Sequence, residues 1–111
     1  MTEFAKLPKR DHVIDLKTAK ALTRRYRKTA SAQLARAEKA ETCAMFPADV
    51  MLKLLRQKGC KAFRIYNGEN PDGSPALILV GVSADGADMT DGLMIDSHFP
   101  CPPFCTPDAL L

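Results

Sequence analysis

An apolar run over residues 76–82 constrains the fold more than any other part of the chain. Because the run is apolar at both odd and even positions, it predicts a strand that is covered on both faces. Residues 61–66 alternate between apolar and polar, which predicts a second strand. The turn-rich residues 67–75 lie between these two strands. The pattern therefore predicts an antiparallel β-hairpin with a long loop, and residues 93–95 are predicted to add a short third strand.

Two helices are predicted to cover one face of this sheet, because so small a sheet is not stable alone. Asp15 is a candidate N-cap for a helix that begins at Leu16. For the second helix, Pro47 suits the first turn and Gly59 suits the position after the C-terminus. Its apolar residues recur at helical spacing: Val50, Met51, Leu54 and Leu55. The predicted class is α+β, with two N-terminal helices packed on a small antiparallel sheet and an ordered Pro-Cys C-terminal tail.

The length of 111 residues favours a single domain over residues 1–111. Residues 1–11 are predicted to be a loose N-terminal arm, and residues 106–111 form the C-terminal end. The Ala-rich residues 31–42 either extend the first helix or fray. No apolar run is long enough to span a bilayer, and the first residues lack the apolar core of a signal peptide. The predicted location is cytoplasmic.

Basic and acidic residues are concentrated in different halves of the chain. All 16 Lys and Arg lie between Lys6 and Arg64, whereas seven of the 13 acids lie in residues 65–111. One interpretation is that the acidic half neutralises the basic half within the fold. The other is a surface with two poles, available to an anionic partner and to a cationic partner or another copy.

Four segments of the chain resemble a group of small uncharacterised bacterial proteins. They are the RIYNG run that begins at Arg64, the VGV run ending at Val82, the GAD run ending at Asp88, and the CPPFC tail that begins at Cys101. The similarity covers roughly residues 46–105, and the tail is its most specific part. The resemblance implies a shared compact α+β fold, but no activity, cofactor or catalytic residue.

The cysteines leave three interpretations open. In a cytoplasmic protein they are expected to be reduced. A zinc site is one alternative, with the ligands Cys60, His98, Cys101 and Cys105. Redox-thiol chemistry and plain structural or free cysteines are the others. Since polyproline II geometry holds Cys101 and Cys105 far apart, a shared metal or a disulfide needs a turn at Pro102-Pro103.

A basic flank on the first helix is the second candidate site. It comprises Lys17, Lys20, Arg24, Arg27 and Lys28. These cations could contact phosphates, with a steep dependence on salt. The flank carries no interleaved stacking aromatics and no DNA-binding signature, so nucleic acid is an unfavoured partner and a solvated helix face is favoured.

The sequence contains no phosphate-binding Gly-rich loop, no His-Glu-x-x-His and no nucleophile elbow. The predicted function is therefore a non-enzymatic binding or self-association module without a cofactor, whose partner is another protein or a second copy. A metal or redox-thiol protein is the first alternative, and weak nucleic-acid binding is the second.

Overall fold

The computed structural model of the protein describes residues 6–33, 41–107 and 110–111. It contains two helices and five strands: α1 (Leu16–Gln33), β1 (Cys43–Met45), α2 (Ala48–Leu55), β2 (Cys60–Glu69), β3 (Pro75–Ser83), β4 (Met94–Ile95) and β5 (Phe99–Cys101). The mixed α+β class is confirmed. Within these described ranges, no helix combines the length and apolar character needed to cross a membrane.

The chain divides into two compact units. The first contains Met45–Phe99, and the second contains Arg10–Ala44 with Pro100–Leu111. The first unit holds α2 and the three-stranded sheet, whereas α1 belongs to the second. The packing of α2 on the sheet is as expected. A single domain and the packing of α1 on the sheet stay predictions.

The three-stranded sheet has the order β2-β3-β4 and is antiparallel throughout. The predicted hairpin and third strand are therefore confirmed. The hairpin loop is shorter than expected, because Asn67, Gly68 and Glu69 continue the ladder opposite residues 75–77. Turn-forming composition predicted a loop there, but continued pairing with β3 extends the strand.

The core of the first unit lies between α2 and one face of this sheet. Leu54 of α2 is fully buried and packs with Leu79 and Ile95. Four half-buried residues surround this cluster: Phe46, Val50, Met51 and Leu77. The apolar spacing of α2 thus predicts the core positions Val50, Met51 and Leu54, whereas Leu55 is exposed. The helix ends at Leu55, earlier than Gly59 suggests, and Gly59 then takes its positive φ of 85° in the turn that leads into β2.

Gln57 ties the end of α2 to the loop before β4. Its Nε2 donates to the carbonyl of Leu54 at 2.9 Å, and its Oε1 accepts from the amide of Leu93 at 2.8 Å. A Cβ added to Gly81 would stand 3.0 Å from Nε2 of Gln57 and 3.1 Å from Sγ of Cys60. Glycine at position 81 therefore leaves the space that these two side chains occupy above β3.

The start of α1 confirms the predicted cap. The carboxylate of Asp15 accepts a 2.9 Å hydrogen bond from the amide of Thr18, three residues into the helix. Hydrogen bonding from Thr18 lowers the pKa of Asp15 below its ordinary value. The helix continues to Gln33, so the Ala-rich segment begins as its extension, and residues 34–40 lie outside the described part of the chain.

The C-terminal tail is ordered by a small sheet that the sequence did not predict. Strands β1 and β5 pair, and the amide of Thr42 donates to the carbonyl of Cys101 at 2.8 Å. Cys101 and Cys105 form a disulfide with Cα atoms 4.8 Å apart, and the two peptide bonds preceding Pro102 and Pro103 are cis. The turn that such a disulfide requires is therefore present. Cys43 and Cys60 are free, so the expectation of reduced cysteines holds for them alone.

Candidate functional site

Three polar side chains cross the sheet face that lies opposite α2. Arg64 and Tyr66 lie on β2, and Asp88 lies beyond the far side of β3, where it pairs with Val82. Nη1 of Arg64 donates to Oδ1 of Asp88, and the hydroxyl of Tyr66 donates to Oδ2. Adjacent strands lie about 4.8 Å apart, so these contacts span roughly two strand spacings. Only long side chains, reaching over β3, make them.

The polar bridge lies on the same sheet face as two buried valines of β3. Val80 lies directly opposite Arg64, and Val82 lies directly opposite Asp88, all on one face. Both valines are at least 96% buried, although neither belongs to the α2 core. This face of β3 therefore carries the polar bridge and two buried valines, whereas the other face packs against α2.

Opposite charges stabilise the ionised forms of the bridge. Hydrogen bonding from Tyr66, followed by that from Arg64, lowers the pKa of Asp88 below its ordinary value. Hydrogen bonding to Asp88 raises the pKa of Arg64. Because both oxygens of Asp88 are engaged, the carboxylate is a structural acceptor rather than an available base.

A tight turn brings Asp88 within hydrogen-bonding distance of Arg64 and Tyr66. The amide of Ser83 donates to the carbonyl of Ala87 at 3.0 Å, and Gly86 takes a positive φ of 86° in the turn between them. Asp85 accepts from the hydroxyl of Ser83 and from the amide of Ala87, and these bonds lower its pKa. The turn residues Asp85 and Gly86 therefore position Asp88 as the next residue to pair with β3.

The outer edge of β2 is open in the part of the chain that the structure describes. The amide of Asn70 donates to the carbonyl of Ser74, so the even-numbered residues of β2 direct their backbone groups towards β3. On the other side of β3, the amide of Met89 donates to the carbonyl of Gly81. The odd-numbered residues of β3 therefore direct their backbone groups away from β2, which agrees with pairing between even-numbered residues of β2 and β3. The backbone groups of Phe63, Ile65 and Asn67 consequently point outwards from the sheet.

Two apolar side chains lie next to the open edge of β2. Phe63 and Ile65 lie on the α2 side of the sheet, since Ile65 is opposite the core residue Leu79. They remain 41% and 53% exposed. Outward backbone groups next to exposed apolar side chains are the features of a strand-pairing surface.

No family model, no curated protein and no solved structure is significantly similar to this chain. The resemblance to small bacterial proteins thus stays a hypothesis. Three of its motif residues, Arg64, Tyr66 and Asp88, are the ones that the fold brings together in the bridge.

The predicted zinc ligands are divided between the two units. Cys60 starts β2 and His98 packs against Phe46, both in the first unit, whereas Cys101 and Cys105 lie in the second. Among the residues with described positions, no three His, Cys, Asp or Glu side chains form a metal-binding group. Disulfide sulfurs are not thiolate ligands, so zinc would require reduction of the tail. The zinc site stays a prediction.

The predicted basic flank lies on α1. Lys17, Arg24, Arg27 and Lys28 are exposed, and Lys20 is half-buried. The helix supports the predicted placement of these residues along one element, and phosphate binding there stays a prediction.

The sequence did not single out the polar bridge or the open edge. No local pattern indicates the role of Asp88, because its ion pair with Arg64 joins positions 24 residues apart. The alternation of β2 predicts Arg64 and Tyr66 on one face, and the structure confirms this, but the alternation does not indicate their partner. Nothing local in the sequence indicates which edge of the sheet remains unpaired.

Proposed function

We propose that this protein is a non-enzymatic binding module that takes up an extended protein strand along the open edge of β2. The observation that carries the proposal is the outward direction of the backbone groups of Phe63, Ile65 and Asn67. An added strand satisfies these donors and acceptors and covers the exposed side chains of Phe63 and Ile65.

The polar bridge supports this function by stiffening β2. Arg64 and Tyr66 anchor the strand to Asp88 from the side opposite α2, so the edge stays extended before a partner arrives. A preorganised edge loses less conformational entropy on binding than a flexible segment does.

A peptide titration tests the proposal at the level of single amides. The probe is a peptide of alternating Val and Thr with Lys at both ends, added to dilute protein. We expect hydrogen-exchange protection to rise at the amides of Phe63, Ile65 and Asn67 and to stay unchanged in β3. Protection that appears elsewhere, or none at saturating peptide, would contradict the proposal.

Asn67 offers a matched pair of variants for this experiment. Asn67→Pro removes an outward amide that the sheet does not use, and proline is compatible with such a position on an edge strand. We expect it to abolish the protection, whereas Asn67→Thr keeps the amide and should retain it. Unchanged far-ultraviolet circular dichroism shows that both variants remain folded.

The disulfide favours a second candidate function, thiol–disulfide exchange at the tail. Cys105 is exposed and Cys101 is half-buried. We propose that a thiolate of a dithiol reductant attacks Sγ of Cys105. This step breaks the bond to Cys101, which leaves as a thiolate and takes up a proton. The second thiol of the reductant then releases Cys105 and closes the reductant's own disulfide.

Redox titration tests this second function. We expect the dithiol and disulfide forms of the tail to interconvert reversibly in buffers with a defined ratio of reduced to oxidised dithiothreitol. Alkylation of the free thiols and mass spectrometry measure the fraction of each form. The Cys105→Ser variant should lose the transition, and the Cys43→Ser variant should keep it. A tail that stays oxidised throughout the range would contradict the proposed exchange.

A further inference from the structure

We infer that the strand which β2 takes up is β2 of a second copy of this chain, paired antiparallel about a two-fold axis that passes beside Ile65. This inference rests on the proposed function of the β2 edge and identifies its partner.

The direction of the backbone groups restricts the register. From Ala62 onwards, past the β-bulge at the start of β2, only odd-numbered residues point outwards, so a symmetric antiparallel pair must place odd residues opposite odd residues. An axis at Ile65 satisfies this condition and sets Phe63 opposite Asn67 of the partner copy. It also pairs the regular part of β2, from Ala62 to Gly68, which ends at the β-bulge between Cys60 and Ala62.

Charge selects the same register. Lys61 is the first charged residue of β2 and Glu69 is the last, and both are exposed. With the axis at Ile65, the strand end that carries Lys61 of each copy lies next to the strand end that carries Glu69 of the partner copy, which brings together two opposite-charge pairs per dimer. An axis at Arg64 would instead place Arg64 opposite its own copy, and like charges directly opposite are destabilising.

The apolar side chains add to this arrangement. Because opposite residues share a face, Ile65 of both copies would meet on the α2 side of a continuous six-stranded sheet. Phe63 of one copy would then lie diagonal to Ile65 of the other. The pairing joins two half-exposed apolar rims into one buried strip.

Charge-reversal variants test the inference by sedimentation velocity over a concentration series. Lys61→Glu and Glu69→Lys each turn both opposite-charge pairs into like-charge pairs, so we expect each to weaken the dimer about 10-fold. An equimolar mixture of the two variants should restore association, because their heterodimer has opposite charges at both positions. Lys53→Glu changes the same charge on α2 and should leave the dimer unaffected.

The outcomes separate this inference from the proposed function. A protein that stays monomeric at all concentrations, yet shows peptide protection at Ile65, overturns the second-copy inference and leaves strand binding intact. A dimer that is insensitive to the charge reversals and to Asn67→Pro also overturns it, since its interface lies elsewhere. Recovery of the dimer in the mixture of charge variants, together with loss of the dimer in Asn67→Pro, supports both the second-copy inference and the proposed strand binding.

Discussion

The hydroxyl of Tyr66 donates to the carboxylate of Asp88 although β3 runs between the two residues. With the parallel contact from Arg64, this hydrogen bond forms a polar layer over Val80 and Val82. One face of the three-stranded sheet packs against α2, and these polar contacts lie on the other face.

Tyr66→Phe removes the donor but keeps the ring over β3. We expect the urea midpoint of unfolding to fall while the denaturant m value stays constant, because stability changes and the buried surface does not. Tyr26→Phe is the matched control, since the hydroxyl of Tyr26 makes no described hydrogen bond. Equal midpoints for the two variants would show that the bond to Asp88 does not stabilise the fold.

The bridge predicts an acid-sensitive contribution to stability. The pKa of Asp88 is lower in the folded protein than its ordinary value, chiefly through Tyr66 and then Arg64. As the pH falls, Asp88 is therefore protonated at a higher pH in the unfolded chain than in the folded protein. The stabilisation that Asp88 contributes is present at neutral pH and is lost as the pH falls below about 4. In the Asp88→Asn variant we expect the melting temperature to fall less than in the wild type between about pH 5 and about pH 3. The exposed Asp91→Asn should follow the wild-type profile.

Leu54 is the residue on which the α2 core depends most. Its side chain is fully buried between Leu79 and Ile95, so Leu54→Ala should lower the free energy of unfolding by about 2–5 kcal/mol. Leu52→Ala on the exposed side of α2 is the control, and it should change stability much less. Urea denaturation measures both, and similar losses would contradict the assigned core.

The tail disulfide predicts a smaller stability effect. Closing a five-residue loop restricts the unfolded chain by about 2 kcal/mol in the chain-entropy description, so the Cys101→Ser/Cys105→Ser double variant should lose up to that amount. The exposed, free Cys43→Ser should be close to neutral. Wild-type stability in the double variant would show that the disulfide does not constrain the tail.

Interactions between residues close in the chain determined many of the helices and strands in advance. The apolar spacing of α2, the alternation of β2 and the continuous apolar run of β3 each predict an element that the structure contains. Asp15 capped its helix as expected, because capping acts over three residues. These features depend on side chains a few positions apart, which is the range that periodicity and capping describe.

Where the prediction was wrong or silent, the deciding feature was a pairing that residue type and spacing do not specify. Asn67, Gly68 and Glu69 have turn-forming character, yet pairing with β3 holds them in a strand. The pairing of β1 with β5 joins three-residue segments, too short for a periodic signal. The disulfide formed because the backbone turns between its cysteines, a feature that composition alone left open.

The sequence by itself determined that β2 carries its positive charges first and its negative charge last, since the basic residues end at Arg64 and the acids dominate afterwards. Only the tertiary structure decided that this strand stands at the edge of the sheet and that Arg64 and Tyr66 reach Asp88. Strand order and cross-sheet contacts join residues distant in the chain, and their free energy arises only when the whole sheet has formed.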